Sequence, residues 1–261
     1  MDYVSHAGFA DAALSSSHHH DGLVIGRLCA ALEGGDGVEH ARGDFVRRGG
    51  ALRQEHLTQT LVAEFDFIEL PGGDLGLAIG DVSGKGVSAA LIMSSVQAAL
   101  RVAAPIEDDL ARLVARLNAL IFRSARGRKY ATFFFARYTP STGVLRYVNA
   151  GHNPPYIIAG TVLTEIGSTG RPIGLLPESS YSEGTIELPP GSTLFLYTDG
   201  LNEAADPEEV EFGNERLREL FLSQSGAATN EIPARVLDAV TAFERGAKAT
   251  DDKTIVVMRR T

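Results

Sequence analysis

From residue 61 onward the chain sets short β-rich runs, joined by tight turns, between helical stretches that come in pairs, and this order restricts the folds open to it. Runs at 61–70 and 75–79 flank Pro71-Gly72-Gly73-Asp74, whose fixed and permissive φ values favour a hairpin turn. Residues 87–104 are rich in Ala, Leu and Met and stop near Pro105. Residues 107–123 place Leu110, Leu113, Val114, Leu117, Leu120 and Ile121 at three- and four-residue spacings. Both stretches read as helices, and as neighbours. Further β-rich runs occupy 132–139, 144–149, 156–158, 162–166, 185–188 and 193–197, with turn residues between them. Helical stretches at 215–223 and 231–245 precede a last run at 254–258. Hairpins interrupted by helix pairs predict an α+β layered sandwich, since a doubly wound sheet needs regular alternation of strand and helix.

Composition removes several functional classes. The 24 Lys and Arg against 33 Asp and Glu leave a net charge of -9 over 261 residues, without the basic excess that binding along a nucleic-acid backbone needs. The apolar stretch 91–104 is broken by Ser94, Ser95, Gln97 and Arg101, so no membrane span is expected. The first residues lack a basic segment followed by an apolar one, and Cys29 is the sole cysteine, so nothing signals export or an oxidising compartment. The expected location is the cytoplasm.

Residues 1–60 differ from the rest. Polar and Gly-rich pieces, including Ser15-Ser16-Ser17-His18-His19-His20 and Glu33-Gly34-Gly35-Asp36-Gly37, interrupt any period apart from the apolar stretch 23–32. The expected organisation is an irregular segment at 1–60 followed by one folded domain at 61–261. The three histidines read either as a metal-binding tract or as an exposed low-complexity stretch.

Asp81 follows the apolar run 75–80 and precedes a helical stretch, a setting that invites a phosphate-binding loop. The Walker A spacing is not met: three residues separate Gly80 from Gly84-Lys85, and Gly86 stands where Ser or Thr is required. The alternative is a metal ligand, because an Asp beyond a strand among glycines suits hard cations that take oxygen donors. Asp199, after the apolar run 194–197, and Asp251-Asp252, before the run at 254–258, share that setting. Each alone reads equally as a turn or cap residue. Together they let distant strand ends deliver carboxylates to one point.

Four segments in order carry a resemblance: Ile79-Gly80-Asp81-Val82-Ser83-Gly84-Lys85-Gly86, then Asn149-Ala150-Gly151-His152-Asn153-Pro154-Pro155, then Tyr197-Thr198-Asp199-Gly200-Leu201-Asn202-Glu203, then Asp251-Asp252-Lys253-Thr254. Over residues 61–260 the chain resembles the SpoIIE/RsbU-type serine phosphatases of the metal-dependent PP2C-like class. The resemblance implies an α-β-β-α sandwich of two mainly antiparallel sheets flanked by helix pairs, with two Mn or Mg ions at one end. It makes Asp81 the bridge between the ions, adds the Val82 carbonyl to one of them, and gives Asp199 and Asp251 to the other. It implies hydrolysis of phosphoserine or phosphothreonine by metal-activated water with no protein nucleophile. The implied partner is a phosphorylated protein such as an anti-sigma-factor antagonist, with no nucleic acid and no membrane, and with room for a homodimer.

One departure stands out. The family pattern has Gly-Gly-Asp and a further Asp ahead of the Asp81 motif; aligning 66–70 with that segment puts Leu61-Val62-Ala63 in place of Gly-Gly-Asp. Ala63 has no donor atom, and Glu64, one residue along a strand, belongs to the other face unless a bulge intervenes. A catalytically impaired regulatory module is therefore the rival to an active phosphatase. His152 reads as a general acid or, beside two prolines, as a structural residue, and Lys85 as a phosphate ligand or a solvated loop residue.

Overall fold

The computed structural model describes residues 63–84, 86–247 and 251–261, together with the backbone of strands Leu23–Ala30 (β1), His40–Arg42 (β2) and Phe45–Val46 (β3). The chain continues as β4 (Ala63–Glu69), β5 (Leu75–Val82), α1 (Val87–Ala103), α2 (Leu110–Ala125), β6 (Ala131–Thr139), β7 (Val144–Ala150), β8 (Tyr156–Ala159) and β9 (Val162–Glu165). It ends with β10 (Gly184–Glu187), β11 (Thr193–Tyr197), α3 (Gly213–Ser223), α4 (Ile232–Glu244) and β12 (Lys253–Arg260). One sheet has the order β10-β7-β6-β5-β4; the other has β2-β1-β12-β11-β8-β9, with β3 paired to β1. The paired strands are antiparallel in both sheets.

The apolar residues sort into three layers, as the period of two along each strand requires. Ala78, Val82, Phe133 and Phe135 pack on α1 and α2 through Met93, Val96, Leu113 and Leu117. Phe195, Tyr197, Ile255 and Val257 pack on α3 and α4 through Leu217, Phe221, Val236 and Val240. Between the sheets lie Leu75, Leu77, Ile79, Phe134, Leu194, Leu196, Val256 and Met258. The architecture is thus the expected α-β-β-α sandwich. Among the described residues no helix is long and apolar enough to cross a membrane.

Three boundaries differ from the sequence reading. The second helix begins at Leu110 because the Asp109 side chain accepts a hydrogen bond from the Arg112 N–H, an N-cap that stops the helix three residues short of 107. The β-rich run expected to end at 79 continues, since Gly80, Asp81 and Val82 remain in β5 and pair with Phe133, Thr132 and Ala131 of β6. Asp81 is therefore a strand residue. Within the segment assigned no fold, residues 23–30 form β1 along β12, from Leu23 opposite Arg260 to Ala30 opposite Lys253.

Two ion pairs anchor helices to strands, one with a half-exposed arginine and one buried. Arg101 of α1 grips Asp66 of β4 with two hydrogen bonds of 2.7 and 2.6 Å. Glu244, at the end of α4, meets Lys253, at the start of β12, at 2.7 Å, with both side chains about 8% exposed. Removing one member of such a pair strands a buried charge at a cost of about 3–5 kcal/mol, whereas replacing both by apolar residues can be neutral. We expect Glu244→Ala to lower stability by roughly that amount in urea denaturation and Glu244→Leu/Lys253→Met to recover most of it. Equal losses in the single and double variants would show that the pair contributes nothing specific.

Candidate metal centre

Asp81 continues the row Leu75, Leu77, Ile79 along β5, so its side chain belongs to the face between the sheets, at the end where the apolar filling stops. Thr132 stands opposite it on β6 and Ala63 opposite it on β4. Residues directly opposite in an antiparallel ladder share a face, so position 63 lies on the Asp81 face and position 64, opposite Gly80, on the other. Gly80 leaves no room for a side chain: a Cβ there would stand 2.9 Å from the Thr132 carbonyl oxygen.

The other carboxylates come from the opposite sheet. Asp199 follows β11, and Asp251-Asp252 precede β12, its neighbour. Thr198 joins the two ends: its hydroxyl donates to the Asp252 carbonyl at 3.1 Å and accepts from the Thr254 N–H at 2.9 Å, while its own N–H donates to the Thr254 carbonyl at 3.1 Å. Gly200 then passes so close that a Cβ would stand 2.3 Å from the Asp252 carbonyl oxygen. Asp251 accepts the Asp252 N–H at 3.0 Å, which orients its carboxylate. Thr198 and Gly200, neither singled out from the sequence, are thus what brings Asp199 beside Asp251 and Asp252.

Across the gap between sheets these acids act on one another. Burial, then the charges of Asp199 and Asp251 and to a smaller extent Asp252, push the Asp81 carboxyl up to about 7, against the favourable Val82 N–H. Glu203, whose N–H bonds the Asp199 carbonyl at 2.8 Å, is raised as well by burial and by Asp199, Glu211 and Asp251. Such mutual repulsion marks oxygen donors that a divalent cation would neutralise, so the residues present fit Mg or Mn in kind. Among the described residues, however, no three His, Cys, Asp or Glu side chains close on a single point as a metal cage. The set is open, and the strand position facing Asp81 on β4 is an alanine.

His152 sits beneath this group and is 4% exposed. Its Nδ1 lies 3.0 Å from the Thr132 hydroxyl, and its backbone N–H donates to Asn149 Oδ1 at 2.8 Å. Burial lowers its pKa to about 4, with the Tyr197 backbone only partly offsetting the loss, so the ring is neutral at physiological pH. A neutral, enclosed imidazole bonded to Thr132 favours the structural reading of His152 over the general-acid one. Lys85 and the histidines at 18–20 lie outside the described residues, as do the side chains of Ala63 and Glu64.

An antiparallel α-β-β-α sandwich with Asp residues from both sheets converging at one end defines the class of PP2C-like phosphatase domains. The family model of Stage II sporulation protein E (SpoIIE) matches residues 71–261, and the chain belongs to that family. It is 29% identical over 224 residues to Protein IcfG of Synechocystis sp., covering 75% of this chain and 35% of that protein. It is 23% identical over 188 residues to Phosphoserine phosphatase RsbU of Bacillus subtilis, covering 71% and 56%. The chain thus spans between about a third and just over half the length of these relatives. Among solved structures, the RsbU and RsbW domains of Rv1364c from Mycobacterium tuberculosis superpose with a TM-score of 0.69 at 24% identity, covering 92% of this chain and 60% of that one.

The buried imidazole has a consequence for acid stability. His152 takes up its proton near pH 6.5 when unfolded but only near pH 4 when folded, so the unfolded state binds more protons between these values. Its contribution is present above about pH 6.5 and is lost as pH falls towards 4, by on the order of 3 kcal/mol. Chemical denaturation across this range is expected to show a shallower decline for His152→Asn than for the parent. Parallel curves would mean that His152 is protonated alike in both states.

Proposed function

We propose that this chain is a divalent-metal-dependent phosphatase that hydrolyses phosphoserine or phosphothreonine in a protein. The observation that carries the reading is Asp81, held on one sheet in the field of Asp199 and Asp251 from the other. In this reading the Asp81 carboxylate, the Val82 carbonyl, and the carboxylates of Asp199 and Asp251 would hold the Mn or Mg ions. Bound ions of this kind supply positive charge to the phosphoryl oxygens and an activated water for in-line attack. The chain's own part is to hold carboxylates at fixed separation: β5 and β6 fix Asp81, and the Thr198 and Gly200 contacts fix Asp199 against Asp251. The substrate we infer is a phosphorylated regulatory protein of the anti-sigma-factor-antagonist kind, a reading supported by family membership and by the likeness to Phosphoserine phosphatase RsbU.

The strand register favours a second reading as well, that of a weakened or inactive phosphatase serving as a regulatory binding module. Ala63 occupies the β4 position facing Asp81, where the family pattern has an Asp, so the centre is one carboxylate short. Loss of even an outer partner of a bound metal commonly costs about 10- to 100-fold in affinity or activity.

Two experiments separate these readings. Hydrolysis of a phosphate ester should require added Mn or Mg and vanish in excess EDTA, and Asp81→Asn and Asp199→Asn should each reduce it by about 10-fold or more with unchanged circular dichroism; full activity in chelator, or in both variants, removes the assigned centre. In a Mn titration, Ala63→Asp should raise the parental rate by about 10-fold or more and exceed Glu64→Asp. Strong parental activity that disappears in Glu64→Ala would instead make Glu64 the replacement ligand.

A further inference from the structure

Positive charge is concentrated on one corner of this acidic protein. Residues 110–164 contain eight Arg or Lys and no Asp or Glu, although the whole chain carries -9. Most of the described arginines are engaged. Arg101, Arg112, Arg116, Arg137, Arg146, Arg235, Arg245 and Arg260 meet carboxylates, Arg259 bonds Thr193 and the Ala227 carbonyl, and Arg216 and Arg218 lie over aromatic rings. Among the described residues the arginines with no such partner are Arg123, Arg126, Arg128 and Arg171, all exposed.

These four lie in neighbouring segments. Arg123 is in the last turn of α2, Arg126 is its left-handed C-cap at φ 51°, and Arg128 follows Gly127. Ile173, two residues after Arg171, exchanges both backbone hydrogen bonds with Ala131 at 2.8 Å, which lays the Arg171 segment along the start of β6. Exposed apolar surface sits among the cations: Tyr130 is 41%, Leu175 41% and Leu176 36% exposed. Arginine with exposed aromatic and aliphatic side chains is the composition of a protein-binding patch.

The corner also touches the candidate centre. Lys129 Nζ donates to the Ser83 carbonyl at 3.0 Å, the Tyr130 N–H donates to Ser83 Oγ at 3.1 Å, and the Ser83 N–H returns to the Tyr130 carbonyl at 2.8 Å. Ser83 is two residues from Asp81. A helix C-terminus attracts cations by its dipole, which accounts for Arg123 but not for Arg128 and Arg171 beyond the helix.

We propose that Arg123, Arg126, Arg128 and Arg171 form the docking surface for the acidic flank of the phosphoprotein substrate, placing its phosphoserine beside Asp81. The proposal rests on the phosphatase reading for its substrate class, and charge complementarity selects the partner: a polypeptide with Asp and Glu beside the phosphorylated residue. Such a surface steers encounter and sets specificity, and its effect fades with salt.

The test uses the full chain in millimolar Mn with two fluorescent peptides. Both carry a phosphonate in which CH2 replaces the serine ester oxygen, so that neither is hydrolysed; one is flanked by Asp and Glu, the other by Ser and Asn. At low ionic strength the acidic peptide should bind about tenfold tighter or more by anisotropy, an advantage reduced to less than about twofold at roughly 0.5 M salt. Arg123→Gln/Arg126→Gln/Arg128→Gln should weaken the acidic peptide about fivefold or more and leave the neutral one unchanged, while Arg235→Gln on α4 should bind both as the parent does. Equal affinities for the two peptides overturn the proposal, as does an equal loss in Arg235→Gln. So does tighter binding of a single-stranded oligonucleotide of about ten nucleotides, which would make the corner a nucleic-acid surface. Hydrolysis of p-nitrophenyl phosphate by the same preparation tests the phosphatase reading separately. Charge-dependent binding without hydrolysis refutes that reading and keeps the docking surface; hydrolysis without charge preference does the reverse.

Discussion

Among the described residues the two sheets share no backbone ladder, so the side chains of the layer they enclose set the distance between them. Leu77, Ile79 and Phe134 on one side meet Leu194, Leu196 and Val256 on the other, in the roughly 10 Å spacing of face-to-face sheets. Every statement about the candidate centre depends on that spacing, because Asp81 belongs to one sheet and Asp199, Asp251 and Asp252 follow or precede strands of the other. A change of volume in this layer would alter the separation of the carboxylates without touching them. His152 completes the layer at its upper end, meeting Thr132 of one sheet beside the Tyr197 backbone of the other.

Holding these acids together costs stability. Burial first, and then the charges of Asp199, Asp251 and Asp252, disfavour ionisation of Asp81. The compensations are structural and lie just outside the site: the Thr198 hydroxyl bridging β11 and β12, the buried Glu244–Lys253 pair at the base of the Asp251 segment, and the Arg101–Asp66 pair tying α1 to β4. A site that is repulsive alone but rigidly supported is organised for a ligand of opposite charge. This is why the geometry favours a cation-dependent reaction over a simple acid cluster.

Much of the fold was legible because its signals are local. Pro71-Gly72-Gly73-Asp74 marked the β4–β5 hairpin, the apolar spacing from Leu110 to Ile121 marked α2, and the run at 193–197 is β11. What escaped depends on partners distant in sequence. Asp81 looked like the start of a loop because Gly80 and Asp81 have poor strand propensity, yet pairing with Phe133 and Thr132 keeps them extended. Strand β1 pairs with β12 more than two hundred residues away, a contact no local pattern encodes. Thr198 and Gly200 were visible only as neighbours of an Asp; their roles arise from β11 lying beside β12. The basic corner was hidden by averaging, since a net charge of -9 conceals a long stretch with no acid at all.

That segregation of charge bears on how a phosphorylated partner could approach. A phosphate dianion nearing Asp81, Asp199, Asp251 and Asp252 meets the same repulsion that raises the Asp81 carboxyl, so the acidic end by itself excludes the group it is proposed to process. In the proposed docking, the arginines that flank the Lys129–Tyr130 segment bonded to Ser83 would act in the opposite sense, drawing on the flank of the substrate and leaving the phosphate to the centre. Attraction at the corner and exclusion at an uncompensated centre together impose an order: the negative charge at Asp81 must be neutralised before a docked phosphoserine can enter. With alanine at position 63 the centre has one charge fewer to neutralise, so exclusion is weaker while the corner's attraction is intact. Substrate docking should therefore survive the substitution better than metal-dependent turnover, the physical basis on which this family member could serve as a binding module even where its chemistry is slow.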